Sequence, residues 1–425
     1  MLDLAGNHIG FQQDFYMLKM KRQSFLLSAV TAIFVLSCVS KQESMESLIK
    51  DRLDRSLQQY ELMAESLIDQ PDKLPRTIDK DGKLSTAGSR SWVSGFVPGS
   101  LWYLYQYSNN PKMLEYAKNY TARMENEKYN KRTHDLGFML YCSFGNGFRL
   151  TEDSLYRNIL LLGAESLASR YNSKIGCIQS WDSNENWQFP VIIDNMMNLE
   201  FLFWAAQVSG DNKYRDICIS HADETMKKHF RPDFSTYHVV SYDTITGHVE
   251  KKTTHQGYAD GSSWARGQAW GLYGYAMMYR ETKDPKYLEQ AEHIAAFIMN
   301  HPNLPADKIP YWDFDAPGIP DEKRDASSAA IIASALIELS AYVDAALAKT
   351  YLDIAEKQIR TLSSPEYFAE KETNGNFILM HSVGNMNRNS DVDVPFTYAD
   401  YYYIEALLRY SEMTGNLKPM GDDTK

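Results

Sequence analysis

Helical periodicity recurs from one end of the chain to the other, and almost nothing alternates as a half-buried strand would. The first run is Leu48, Ile49, Leu53, Leu57, Tyr60, Met63 and Leu67, spaced so as to share one helix face. Eleven more patterns follow at 97–107, 111–126, 135–143, 153–171, 191–209, 212–229, 264–281, 285–300, 326–345, 347–363 and 398–414. Twelve helices with so little strand signal exclude the sheet-based architectures. A weak repeat pairs them. Asp211-Asn212-Lys213-Tyr214, Asp284-Pro285-Lys286-Tyr287 and Ala348-Lys349-Thr350-Tyr351 each open a helix, and Asn110-Pro111-Lys112-Met113 is a looser copy. Its period of roughly 60–70 residues is too long for a tetratricopeptide helix pair of about 34. It suits a helix pair with a long loop. Six such pairs closed in a ring form an all-α (α/α)6 barrel, whose inner helices end in loops that build a cleft.

The loops are long: 72–96, 172–190, 230–263, 301–325 and 364–397. Loops of about 15 residues or more seldom persist in compact domains without a use. They hold Trp92, Trp181, Trp187 and Trp312, whereas Trp102 and Trp204 fall inside helices and read as packing. Residues 237–243 form the one expected strand, turning at Thr246-Gly247. Aromatic content of 13% suits a surface that stacks on rings, and the net charge of -11 argues against wrapping nucleic acid or lying on an anionic membrane. An anionic small substrate stays open, because a pocket can be locally basic.

Residues 1–38 read as an address. Lys21 and Arg22 precede the apolar run from Phe25 to Leu36, too short to span a bilayer and ended by Ser37-Cys38. This is the pattern of a secretory signal. Val35-Leu36-Ser37-Cys38 also resembles a bacterial lipobox, which implies export to a periplasm with a lipid anchor at Cys38 as the only membrane attachment; a plain cleaved signal is the alternative. Met20 is a second candidate start. Residues 39–425 are then a single barrel domain, monomeric or homodimeric. Cys142, Cys177 and Cys218 remain, an odd number without metal-ligand spacing. They fit one disulfide or, preferably, buried free thiols. Neither a catalytic metal nor a cofactor is indicated.

Four clusters carry chemistry-bearing residues: Trp92 to Trp102, Thr133-His134-Asp135-Leu136-Gly137-Phe138, Ile192-Ile193-Asp194-Asn195-Met196-Met197-Asn198, and His255-Gln256-Gly257-Tyr258 with Trp264-Ala265-Arg266-Gly267-Gln268-Ala269-Trp270. Asp135 and Asp194 each stand where a helix begins, and an Asp there ordinarily caps the first free N–H groups. Asp194 is harder to read so, because it lies between Ile192-Ile193 and Met196-Met197. Apolar surroundings and a second carboxylate both raise a carboxyl pKa, as a proton donor near neutral pH requires. Arg266 and Trp270 are one turn apart on one face. That pairing suits a guanidinium forked onto a carboxylate beside a stacked ring, or else a core Trp pair with an arginine snorkelling outward. His134, His238 and His255 stand out from the other histidines by lying at polar loop ends.

Taken together and in this order, the clusters resemble glycoside hydrolase family 88, the unsaturated glucuronyl hydrolases, over about 46–414; Asp393-Val394-Pro395 and Tyr398-Ala399-Asp400-Tyr401-Tyr402 also match. The resemblance implies an (α/α)6 barrel acting on di- or oligosaccharides that end in a 4,5-unsaturated uronate. It implies that Asp194 protonates C4 and then activates water for attack at C5, with Asp135 as the second essential carboxylate. His134, His238, Gln256, Trp264, Arg266 and Trp270 would line the substrate site, and Trp92 would stack on sugar. Rhamnogalacturonyl relatives are expected to lack the pair of aspartates. Some members read sulfate with a Ser/Lys-rich loop; the corresponding stretch here, 381–388, has no Lys, leaving Ser382 or Arg388. The rival readings are another α/α-barrel carbohydrate enzyme, such as a polysaccharide lyase, and a non-catalytic helical scaffold.

Overall fold

Twelve α-helices are found among residues 43–415, which are those described by the computed structural model. They are α1 (Met45–Ser66), α2 (Phe96–Ser108), α3 (Pro111–Ala122), α4 (Asn146–Thr151), α5 (Ser154–Ala168) and α6 (Leu199–Ser209). The remainder are α7 (Asn212–His229), α8 (Ala265–Thr282), α9 (Pro285–Asn300), α10 (Ala326–Ser340), α11 (Ala345–Leu362) and α12 (Thr397–Met413). Even-numbered helices form the inner ring and odd-numbered ones the outer. Burial separates the two sets. Every residue of α8 from Ala265 to Met278 is buried, and so is every residue of α12 from Thr397 to Leu408. In α11 only Tyr351, Ala355, Gln358, Ile359 and Leu362 are, a single stripe. The inner ring closes where α12 packs on α2.

The repeat seen in the sequence is the start of the outer helices. Asn110, Asp153, Asp211, Asp284 and Asp344 cap α3, α5, α7, α9 and α11, each accepting the N–H two residues on. The third copy is set back, since α11 begins at Ala345 and 348–351 lie inside it. Just before four of these caps, Asn109, Glu152, Gly210 and Lys283 take left-handed conformations that end the preceding inner helix. Those four inner-to-outer turns are therefore two residues long, and the one from α10 to α11, residues 341–344, has four. All the long connections fall at the opposite end, where the inner helices begin.

Those connections carry four small antiparallel sheets: β1 (Leu74–Ile78) with β2 (Leu84–Ala87), β3 (Tyr171–Asn172) with β4 (Cys177–Ile178), the three-stranded β5 (Pro190–Ile192), β6 (Val239–Tyr242) and β7 (Val249–Thr253), and β8 (Ser382–Asn385) with β9 (Ser390–Val394). The strand expected at 237–243 is β6. The others are too short to announce themselves by alternation. Cys142, Cys177 and Cys218 are buried and unpaired, so no disulfide joins them. Among the described residues no helix is long and apolar enough to cross a membrane; the segment through Cys38 lies outside them.

One inner helix departs from α geometry. The pattern at 135–143 becomes a π-wound segment, Gly137–Gly145, running directly into α4. Two glycines allow it. A Cβ on Gly95 would stand 2.2 Å from the carbonyl oxygens of Phe138 and Met139, and one on Gly137 would meet the Asn198 Oδ1 at 2.6 Å. In place of that Cβ, Asn198 accepts the Phe138 N–H at 3.2 Å. Replacing Gly95 by Ala should lower unfolding stability by about 1–3 kcal/mol, the usual cost of overpacking. Chemical denaturation checks this, and a loss below about 0.5 kcal/mol would show that the two backbones are not in contact.

Candidate active site

Neither Asp135 nor Asp194 does the work of the outer-helix aspartates: the segments they open have no side-chain cap. Asp135 sits on a short arm fixed by a Thr133–Trp181 bridge and by the His134 N–H on the Ser180 carbonyl at 3.0 Å. Its Oδ2 accepts the Thr133 hydroxyl at 2.5 Å, and its Oδ1 lies 3.2 Å from His134 Nε2. Asp194 follows β5, which pairs with β6; the Ile193 N–H extends that pairing to the His238 carbonyl at 3.1 Å. The chain then tightens into a 3-10 turn, Ile193–Asn198. Asn198 joins the two arms, since its Nδ2 reaches towards His134 Nδ1 at 3.5 Å while its Oδ1 holds Phe138.

Asp194 is only 7% exposed, and its Oδ2 has no hydrogen-bond partner in the protein. Burial pushes its pKa up to about 7. The Arg266 charge opposes that rise, the Asp135 charge adds to it, and the Trp270 indole N–H, itself without a hydrogen-bond partner, opposes it weakly. Asp400 is a useful contrast. Burial also lifts it to about 7, but it accepts the Ile378 and Leu379 N–H groups and the Tyr60 hydroxyl. Asp400 is a satisfied structural link between helices and a loop. Asp194 has an oxygen to spare.

His238 faces that oxygen. Its Nδ1 accepts two backbone N–H groups, of His255 and Gln256, each at 3.2 Å. The ring proton must therefore sit on Nε2, which lies 3.8 Å from Asp194 Oδ2 and has no bonded partner. Burial holds the imidazole neutral by lowering its pKa well below the ordinary value. The Trp264 ring covers it, with centroids 4.3 Å apart.

Arg266 is 1% exposed, so it does not snorkel outward. Its Nη1 donates to Asp325 Oδ2 at 3.3 Å and to the Val383 carbonyl at 2.5 Å, and its Nη2 to the Gly384 carbonyl at 3.1 Å. Nε has no partner. The guanidinium lies over the Trp264 and Tyr398 rings. The Gln256 amide donates to the same Gly384 carbonyl at 2.8 Å. Helix α8 thus straps the β8–β9 hairpin over the cleft. Asp325, which caps α10 through Ser327, fixes the strap from the other side.

The aromatic residues fall into two groups. Trp92 packs on Tyr398 and Phe138, and Phe138 packs on Trp270, which makes a continuous floor. Trp181, Trp187 and His255 cluster at the rim, and Trp312 is buried with its indole N–H on Glu322. Ser382 is fully buried and accepts the Ser327 N–H, so it cannot meet a sulfate; Arg388 is exposed near His255. Thr133, Asn198, Asp325 and Tyr398 complete the site. Thr133, Asn198 and Tyr398 stand in the stretches singled out from the sequence but carry no role there, and Asp325 stands in none of them, although Asp325-Ala326-Ser327-Ser328 is a legible helix start. A separate cavity of about 430 Å³ lies towards the short-turn end of the barrel, and neither aspartate lines it. Its central acid, Glu405, is satisfied by Tyr103, Tyr273 and Ser334.

Residues 61–414 match the family model described as Glycosyl Hydrolase Family 88. An unsaturated glucuronyl hydrolase of Formosa agariphila is 50% identical over 323 residues, covering 76% of this chain and 80% of that protein. An unsaturated chondroitin disaccharide hydrolase of Streptococcus pyogenes serotype M1 is 32% identical over 374 residues, covering 85% and 91%. Among solved structures, an unsaturated glucuronyl hydrolase specific for heparin superposes with a TM-score of 0.85 at 50% identity, covering 87% of this chain and 98% of that one. The unsaturated glucuronyl hydrolase of Bacillus sp. GL1 gives 0.80 at 29% identity, covering 86% and 97%. With six inner and six outer helices, a matching family model over most of its length and relatives this similar, the chain belongs to glycosyl hydrolase family 88.

Proposed function

We propose that Asp194 is the acid and then the base with which this enzyme removes 4,5-unsaturated glucuronic acid from the non-reducing end of oligosaccharides. The observation that carries this reading is the buried Asp194 oxygen without a donor, beside the charge of Asp135 and facing the Nε2–H of His238. A carboxyl lifted to about 7 holds its proton at neutral pH and can still release it.

The steps balance without an outside reagent. Asp194 gives its proton to C4 of the vinyl ether, leaving positive charge shared by C5 and the ring oxygen. The carboxylate so formed takes a proton from water as that water bonds to C5. A separation of 3.8 Å between His238 Nε2 and Asp194 Oδ2 lets one water oxygen lie within hydrogen-bond reach of both. The resulting hemiketal opens at the C5–ring oxygen bond, and C1 then expels the partner sugar. Because the double bond is attacked, the separation of the carboxylates carries no information on anomeric inversion or retention. Asp135, held by Thr133 and His134, orients the ring hydroxyls; Arg266 and Gln256, whose Nη and amide donors are taken by Asp325 and the β8 carbonyls, and Trp264, which covers His238, shape the site from behind, with Arg266 acting through its charge, and Trp92 supplies stacking area.

The substrates are products of glycosaminoglycan lyases, with heparin-type saccharides first, given the heparin-specific relative at 50% identity. Export through residues 1–38 to a periplasm, with a lipid on Cys38, would put the enzyme where such fragments arrive.

Mixing the protein with unsaturated heparin or chondroitin disaccharides should erase their vinyl absorbance. Asp194→Asn should stay folded and lose turnover by at least the 10²–10⁴-fold that proton transfer is worth. Near-normal turnover in that variant would reject the assignment, and a rise in absorbance on intact polymer would mark a lyase. Deleting residues 1–38 should give a soluble, active enzyme; a folded but inactive product would contradict their role as an address alone.

A further inference from the structure

Beside the Asp135 arm lies a second cavity, of about 580 Å³, lined by Arg90, Asn126, Glu127, Tyr129, Asn130 and the 131–133 stretch. Both of its walls, the loop before α2 and the loop after α3, belong to the end of the barrel where the catalytic loops gather. Thr133 forms part of its lining and is also the residue whose hydroxyl bonds Asp135, so the two spaces share a wall.

The cavity is positively charged on an acidic protein. Arg90, Lys131 and Arg132 stand in it against one carboxylate, Glu127. That carboxylate is buried and fully used, accepting the Ser89 hydroxyl at 2.6 Å and the Asn130 amide at 2.9 Å, and so it ties the two walls together. Arg132 has a loose partner in Asp182 at 3.3 Å but remains 87% exposed. The backbone that presents the cations is fixed at several points. Asn130 Oδ1 accepts the Arg132 N–H, Arg170 donates to the Lys131 carbonyl, and Ser166 donates to the Lys128 carbonyl. Tyr129 offers a ring 64% exposed, the most exposed aromatic side chain among the described residues. Cations, amides and an exposed ring on a stiff frame are what an anionic sugar requires: charge for its substituents, donors for its hydroxyls and a face to stack on.

We infer that this cavity is an outer subsite for a sulfated or carboxylated sugar lying beyond the one next to the scissile bond, so that the enzyme prefers charged oligosaccharides longer than a disaccharide. The inference rests on the proposed function, since it extends the same cleft. The contacts are exposed, so they act through summed charge and weaken with salt.

The test compares Arg90→Ser/Lys131→Ser with the unaltered enzyme on an unsaturated, sulfated tetrasaccharide and on the matching disaccharide. The expected result is a fall of about tenfold in the ratio of kcat/KM on tetrasaccharide to that on disaccharide at low ionic strength, shrinking as salt is added. An unchanged ratio, or an equal loss on both substrates, would overturn the subsite. If the unaltered protein turned over neither substrate, the proposed function would fail instead. Calorimetric binding of the tetrasaccharide to the two proteins would then decide the subsite by itself: weaker binding to the variant supports it and equal binding overturns it.

Discussion

A largely buried carboxyl group with one oxygen unpartnered by the protein is a liability, and the surroundings of Asp194 are arranged to sustain it. Left alone, a buried carboxylate would draw in a donor or a solvent path. Here its chain neighbours Ile193, Met196 and Met197 are all buried, Ile193 and Met196 against the glycines of α8. The one nearby imidazole has its proton fixed on the facing nitrogen by two backbone N–H groups, yet stops at 3.8 Å. Arg266 lies close enough to matter but spends its Nη donors on Asp325 and the β8 carbonyls. Had those donors turned to Asp194, the carboxyl would be driven towards its ordinary range and lose its proton at neutral pH.

The barrel makes this arrangement affordable in geometric terms. Short turns at one end, four of them two residues long with left-handed terminators and Asx caps, fix inner helices against their outer partners. Freedom is confined to the other end, where loops from different helix pairs meet above the inner-helix starts. Asp135, Asp194, Arg266 and Asp325 come from four successive pairs, and each stands at or near such a start. The β8–β9 hairpin, contributed by the loop before α12, is the piece that closes the group.

Much of this was legible in the residues. The helix count, the pairing and the asymmetry of loop lengths follow from periodicity and from the repeated Asx starts. Asp194 betrayed itself through apolar neighbours on both sides. What local patterns do not encode is which loops meet. Nothing around Gln256 tells that its N–H would set the tautomer of His238, or that the carbonyls of Val383 and Gly384 would occupy Arg266. The π winding at 137–145 depends on Asn198, far along the chain, replacing a turn of helix with its side-chain oxygen. Ser382 reads as a surface serine until the structure buries it against α10.

The protonation of Asp194 can be observed without substrate. Infrared difference spectra between the wild-type protein and Asp194→Asn isolate its carboxyl stretch as pH is raised. Its folded-state pKa is raised above the ordinary value of about 3.9, so the proton should persist through the weakly acid range and leave around pH 7, with activity falling on the alkaline side of that point. A carboxyl that loses its proton near pH 4 would contradict the account, because Asp194 would then reach the substrate with nothing to give.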